Sequence, residues 1–290
     1  MADRSLAYAE NAPGPYYVER RCTDCDKCRQ LAPAHFAAHP SGYAIVSSQP
    51  ASEDEWEICR RALAACPVAA IGDDGLAPRP PAPRRLLPDL WHCGHPSPRT
   101  DGADSYVIVR PGGNVLVDTP AFDSELVRFL EGLGDLRTLF LTHRDAIGEA
   151  EDFILHFGLE VLIHESEAAE VPIGVVRTFR EDFDLTEDLR ILTTPGHSAG
   201  SSCLLWRRHG GCLFTGDHLV CEAGSFGPVP YVGTADWARQ RGEAERLLHT
   251  DWRFALPGRG SLSLTRGYPP NPRRLLAEAL TDSNLEDSRA

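Results

Sequence analysis

The apolar positions change period along the chain, and with it the elements they predict. Over 53–65, apolar Trp56, Ile58, Cys59 and Leu63 predict a helix, and Ser52 with Glu55 three residues on forms a capping box at its start. Later, short apolar runs predict strands. Residues 105–110 and 114–118 form a hairpin around Pro111-Gly112-Gly113, and 139–142, 160–163, 190–193, 203–206, 212–215 and 254–256 follow as strands. Helices are predicted over 124–133 and 237–249. Strands alternating with helices suit a layered α/β domain.

Composition divides the chain. Pro78, Pro80, Pro81, Pro83 and Pro88 cluster beside Gly75, which forbids a continuing helix or central strand and predicts a semi-rigid spacer. The expected organisation is a first domain at 1–74, a spacer at 75–90, a second domain at 91–270 and a polar tail at 271–290. No apolar run is long enough for a membrane span. The N-terminal residues lack a secretory pattern, so a cytoplasmic location is expected. The 29 basic and 42 acidic residues leave a net charge of −13, which disfavours nucleic acid as a partner. Lys27 is the only lysine. No Gly-rich phosphate loop stands in a strand–turn–helix context, so no nucleotide or flavin is expected.

Nine cysteines in such a chain point to metal rather than a disulfide framework. Cys22, Cys25 and Cys28 form C-x₂-C-x₂-C, and Cys66 precedes Pro67. Three closely spaced thiolates with one distant cysteine suit a cubane iron–sulfur cluster. A zinc knuckle or a set of structural cysteines is the alternative. Cys59 falls within the predicted helix and reads as a core thiol. Over about 16–72, including C-R-Q-L-A-P-A-H-F from Cys28 and A-L-A-A-C-P-V-A-A-I around Cys66, the chain resembles the single-cluster bacterial ferredoxins. The resemblance implies one [4Fe-4S] cluster on Cys22, Cys25, Cys28 and Cys66, serving one-electron transfer or structure.

Four later segments, in order, resemble the metallo-β-lactamase superfamily: N-V-L-V-D-T-P with Asp118, F-L-T-H-R-D with His143, T-P-G-H-S-A-G-S with His197, and L-F-T-G-D-H with Asp217. L-P-G-R-G, containing Arg259, matches a last loop that usually reads P-G-H-G. The two resemblances imply an α+β ferredoxin-like domain followed by an αβ/βα four-layer metallo-β-lactamase sandwich. The family motif T-H-x-H-x-D-H is only partly kept. Asp145 stands at its second histidine. Ile147 and Gly148, or Glu149 and Ala150 if two residues are inserted, stand at its Asp-His pair. Arg259 replaces the last-loop histidine and has no lone pair for a metal. The Asp-His pair and the last-loop histidine all serve the second metal in the family, so the resemblance implies that this second site is absent, leaving His143, His197 and Asp217 for a single ion.

Two histidines and a carboxylate with open positions form the triad favoured by non-haem Fe(II). The persulfide dioxygenases of the superfamily use the matching three positions for one iron. Three readings follow. The first is a redox enzyme with one metal at the triad, Asp145 supplementing it and Arg259 holding an anionic substrate group. The second is a mononuclear zinc hydrolase of esters, thioesters or amides, with Asp145 or Glu149 as general base. The third is a ferredoxin whose second domain is a non-catalytic docking module. The cofactors expected are one [4Fe-4S] cluster and one Fe(II) or Zn(II). The expected partner is a redox protein or a small molecule. His92, Cys93 and His95 are expected as residues leaving the spacer, His164 and His218 as strand-end residues, and Cys203, Cys212 and Cys221 as core or loop thiols.

Overall fold

The structure, a computed structural model, describes residues 2–66, 68–74, 83–222, 225–229, 234–259, 269 and 271–281. Pro67, Gly75, Pro78, Pro80, Pro81, Gly260 and the tail beyond Thr281 lie outside the described residues.

The first domain wraps two short sheets and two helices around a small core. Strand β1 (Tyr17–Val18) and helix α1 (Lys27–Leu31) precede a hairpin of β2 (Phe36–His39) and β3 (Tyr43–Val46). Helix α2 (Glu53–Ala64) follows, and β4 (Ile71–Gly72) returns antiparallel to β1. The capping box is formed: the Ser52 side chain accepts from the Glu55 backbone N–H, and the Glu55 carboxylate accepts from that of Ser52. Tyr16, Val18, Phe36, Val46, Cys59, Ala62 and Ile71 make the core. Cys59 is buried there, and burial pushes its thiol up to about 12, as a core thiol requires.

The second domain is built from two facing sheets. The seven-stranded sheet runs β11-β10-β9-β8-β7-β6-β5. Its members are β5 (Arg84–Leu87), β6 (Leu90–His92), β7 (Tyr106–Ile108), β8 (Asn114–Val117), β9 (Leu136–Phe140), β10 (Glu160–His164) and β11 (Val175–Phe179). The five-stranded sheet joins β12 (Phe183–Asp184), β13 (Leu189–Thr193), β14 (Ser202–Trp206), β15 (Cys212–Gly216) and, after the small hairpin of β16 (Val220–Glu222) and β17 (Ser225–Gly227), β18 (Phe254–Pro257). Period-2 alternation assigns every face. Tyr106, Ile108, Val115, Val117 and Phe140 meet Ile191, Leu204, Trp206 and Phe214 between the sheets. The intervening Val107, Leu116, Leu139 and Val161 face α3 (Ser124–Leu133) and α4 (Ala150–Phe157). Leu192, Cys203, Leu205 and Leu213 face α5 (Trp237–Leu248) and α6 (Pro272–Thr281). Helices outside, sheets inside, give the αβ/βα layering.

Two expected boundaries differ. Arg84–Leu87 and Leu90, expected in the spacer, belong to the seven-stranded sheet; proline is tolerated here because β5 is an edge strand flanked by Pro83 and Pro88. All of α6 falls in the expected tail, yet its Leu276 is fully buried against the outer face of the second sheet. Strand β9 also ends before Thr142, because the Asp118 carboxylate takes the Thr142 backbone N–H at 2.8 Å.

The domains meet in a buried seam. Arg61 of α2 donates to the Asp104 carboxylate, and His92 Nε2 lies 2.7 Å from the same oxygen. Nearby, Lys27 Nζ is 3.9 Å from the Asp101 carboxylate. Gly102 adopts a left-handed φ of +73°, and a Cβ there would lie 2.4 Å from that of Ala65. His92 and Cys93 are therefore not loose spacer residues: both are buried in or beside the sheet.

Candidate functional site

The four motif cysteines line one pocket together with Val18, Ala70 and others. Asp24 and Asp26 take left-handed φ values of 55° and 68°, bending the loop back on itself, and Arg29 clamps both carboxylates. The Ala44 N–H points at Cys22 Sγ from 3.4 Å and the Ala70 N–H at Cys66 Sγ from 3.2 Å. Donors aimed at sulfur favour thiolates. Burial works against them, raising the Cys66 thiol and pushing that of Cys28 up to about 12. A converging soft-ligand set that is costly to ionise alone fits an iron–sulfur cluster, whose cations supply the missing charge.

The second site sits at the ends of three strands: His143 follows β9, His197 follows β13 and Asp217 follows β15. Asp118, with a left-handed φ of 57°, accepts from the Thr142 backbone N–H and hydroxyl. Its burial pushes the carboxyl up to about 6. The Thr142 hydroxyl in turn lies 2.9 Å from His143 Nδ1. With its proton given to Asp118, that oxygen accepts from Nδ1–H, which leaves the Nε2 lone pair of His143 free. Gly216 packs on Thr142 so closely that a Cβ would sit 2.2 Å from its hydroxyl oxygen.

His143 Nε2 and His197 Nε2 lie 3.5 and 3.8 Å from Asp217 Oδ2, with the imidazole rings nearly perpendicular. All three residues are buried, and the two Nε2 atoms and Asp217 Oδ1 have no regular hydrogen-bond partner. A tetrahedral ion about 2.1 Å from its ligands holds them about 3.4 Å apart. The two histidine–carboxylate spacings are close to that value, and all three ligand atoms lie within 4.8 Å of one another. Burial disfavours charge on both His143 and Asp217. For His143, Asp217 and the other nearby carboxylates outweigh burial and raise its pKa; for Asp217, Arg259 and His143 outweigh it and hold the carboxyl well below the usual range.

The remaining candidates divide. Asp145 faces the opening, half exposed, with Oδ2 3.8 Å from His143 Nε2 and 3.6 Å from His197 Nε2. Arg259 turns inward: its Nε donates to Asp217 Oδ2 and a terminal nitrogen donates to the Asp101 carbonyl at 3.3 Å. Glu149 points elsewhere, its carboxylate accepting from the Ser97 hydroxyl at 2.9 Å and from the Phe122 N–H. It caps loops and is not gathered with the histidines. His218 is buried beside the triad, and burial lowers its pKa to about 3.

Sequence reasoning missed Glu167. This buried carboxylate accepts from the Arg144 N–H at 2.8 Å and the Gly200 N–H at 3.0 Å, gripping the loops that carry His143 and His197. Its signal was faint: one acidic residue in an acidic segment, E-S-E-A-A-E, with no motif around it.

Comparison with known proteins agrees with both halves. Residues 18–73 match the family of the 4Fe-4S single cluster domain of Ferredoxin I. The structure is similar to Rm3 metallo-β-lactamase (TM-score 0.52, 18% identity, covering 72% of this chain and 93% of that one). It is also similar to a Cronobacter sakazakii metallo-β-lactamase with a HARLDQ motif (0.54, 17%, 73% and 97%) and to a β-lactamase from Chitinophaga pinensis (0.51, 18%, 71% and 90%). No curated protein sequence matches the chain significantly. The chain therefore joins a single-cluster 4Fe-4S domain to a metallo-β-lactamase fold. No helix among the described residues is long and apolar enough to cross a membrane.

Proposed function

We propose that this chain is a redox enzyme in which a [4Fe-4S] cluster on Cys22, Cys25, Cys28 and Cys66 serves a single metal ion at His143, His197 and Asp217. One observation carries the reading. The buried, unsatisfied donors of the triad lie beside Arg259, which Asp101 connects to Lys27 in the loop between Cys25 and Cys28. When bound, the cluster supplies one-electron transfer and the single metal supplies open positions for O₂ or a small oxygen or sulfur species.

The chain's own residues set the conditions. Arg259 puts a permanent positive charge on Asp217 where a second metal would need a lone pair, and so favours a mononuclear site. Thr142 and Asp118 hold the His143 ring in the tautomer that presents Nε2. Asp145, at the open side, is placed to accept a proton from an incoming thiol or water; His197, 3.6 Å away, and His143 hold its carboxyl below the usual range. Arg259, with Nε and a terminal nitrogen engaged, serves Asp217 rather than the substrate.

The names of the structural neighbours favour a second reading, a zinc hydrolase. His143, His197 and Asp217 would hold a lone Zn²⁺, which would supply a water activated near neutral pH, with Asp145 placed as general base. Metal content of anaerobically purified protein decides, with electron paramagnetic resonance after reduction and after addition of nitric oxide. About five irons per chain, with a nitrosyl signal from a lone ferrous ion, is the expected result. About four irons and one zinc moves the assignment to the hydrolase. About four irons and no other metal overturns both and leaves a docking module.

A further inference from the structure

The loop that enters β7 touches both metal-bearing regions within four residues. Asp101 offers its carboxylate to Lys27 at 3.9 Å and its carbonyl to Arg259 at 3.3 Å. Gly102 lies against Ala65. Asp104 holds Arg61 and His92 through its carboxylate, and its backbone N–H donates to the Gly258 carbonyl at 2.6 Å. One side of this segment therefore grips the cluster domain, and the other grips the last loop of the triad site. Lys27 directly precedes Cys28, and Arg61 lies on the helix that leads to Cys66.

We propose that residues 101–104 are an interdomain strap through which the cluster domain sets the position of Arg259 against Asp217, and with it the metal affinity of the triad. The proposal rests on the reading that the triad binds a metal.

The physical argument concerns how few positions such a strap can take. Arg61, Asp104 and His92 are all buried. A buried ion pair is either made or broken, because an isolated charge there is costly, so the seam cannot slide through intermediate registers. Asp104 fixes Gly258 through its own backbone, and the next residue is Arg259. Arg259 Nε donates to Asp217 Oδ2, the same oxygen that lies 3.5 and 3.8 Å from the two histidine Nε2 atoms, and so fixes how the carboxylate faces the triad. Arg61, Lys27 and Asp104 are thus positioning residues: they act on the metal through Arg259 and Asp217.

The experiment titrates zinc against a chromophoric chelator in full-length protein with its cluster intact, with His197→Ala marking which uptake belongs to the triad. Arg61→Gln is expected to weaken triad zinc binding about tenfold, the lower end of the range for residues that orient metal ligands. Cluster absorbance is expected to stay unchanged. Lys27→Gln, at a looser and partly exposed contact, should weaken it less, and it decides the matter if Arg61→Gln disturbs the cluster. A merely structural seam would not move a second readout, the reduction potential of the cluster. Zinc at the triad, itself redox-inert, should raise that potential in the wild type and raise it less in Lys27→Gln, because coupling between two sites is reciprocal. Wild-type zinc affinity together with a wild-type potential shift in Lys27→Gln overturns the strap and leaves the triad reading standing. A wild type that takes up no zinc at the triad overturns both.

Discussion

Cys22 and Cys25 come from one short loop and Cys28 from the start of α1 that follows it, with Cys66 just beyond α2, whereas His143, His197 and Asp217 come from the ends of three strands in two different sheets. The cysteine loop has little rigid structure of its own. Left-handed aspartates and one arginine bend it, and its buried thiols resist ionisation until iron arrives. The triad is the reverse case. Its donors are held within 4.8 Å of one another by strand ends, by the Thr142–Asp118 bond and by Glu167. On the proposed function, the first site is organised by its metal and the second is organised ahead of it.

That contrast can be broken at graded strengths. Cys66→Ser should have the largest effect, abolishing cluster absorbance and loosening the first domain, since Cys66 packs on its small core. Circular dichroism and absorbance check it, and a folded first domain without iron would contradict the account. His197→Ala should remove the second metal and leave cluster absorbance unchanged. Metal analysis of the purified variant tests this, and loss of the cluster signal would show that the two sites are not separate. Smallest, Glu167→Gln should keep the fold and both metals but weaken zinc binding at the triad about tenfold, because one of the two N–H groups it grips loses its acceptor. An unchanged affinity would mean that the strand ends alone position the histidines.

How much could be read from the residues follows the same division. The cysteine motif is local and was legible as spacing alone. The sheets were legible because short apolar runs such as Tyr106–Ile108 and Ser202–Trp206 match strands buried on both faces. The triad was legible only through ordered motifs, since nothing in local spacing says that His143 and Asp217 meet. Strand β5 was missed because Pro83 and Pro88 read as breakers, although an edge strand tolerates them; helix α6, missed in a stretch read as a polar tail, starts at Pro272, which a helix accepts in its first turn. Glu149 and Glu167 were exchanged in importance. Both are buried or partly buried acceptors of backbone N–H groups, and only the fold shows which of them braces the histidine loops. The seam was invisible for the same reason: Arg61, His92 and Asp104 carry no signature until α2 is laid against β6.

Arg259 has one more consequence. A chelator strips a two-metal centre of all its positive charge at once, leaving its carboxylate to repel the next ion's other ligands and to draw in water. Here one positive charge is a side chain, covalently tethered and beyond any chelator's reach, and it keeps Asp217 paired and in place whether or not an ion is bound.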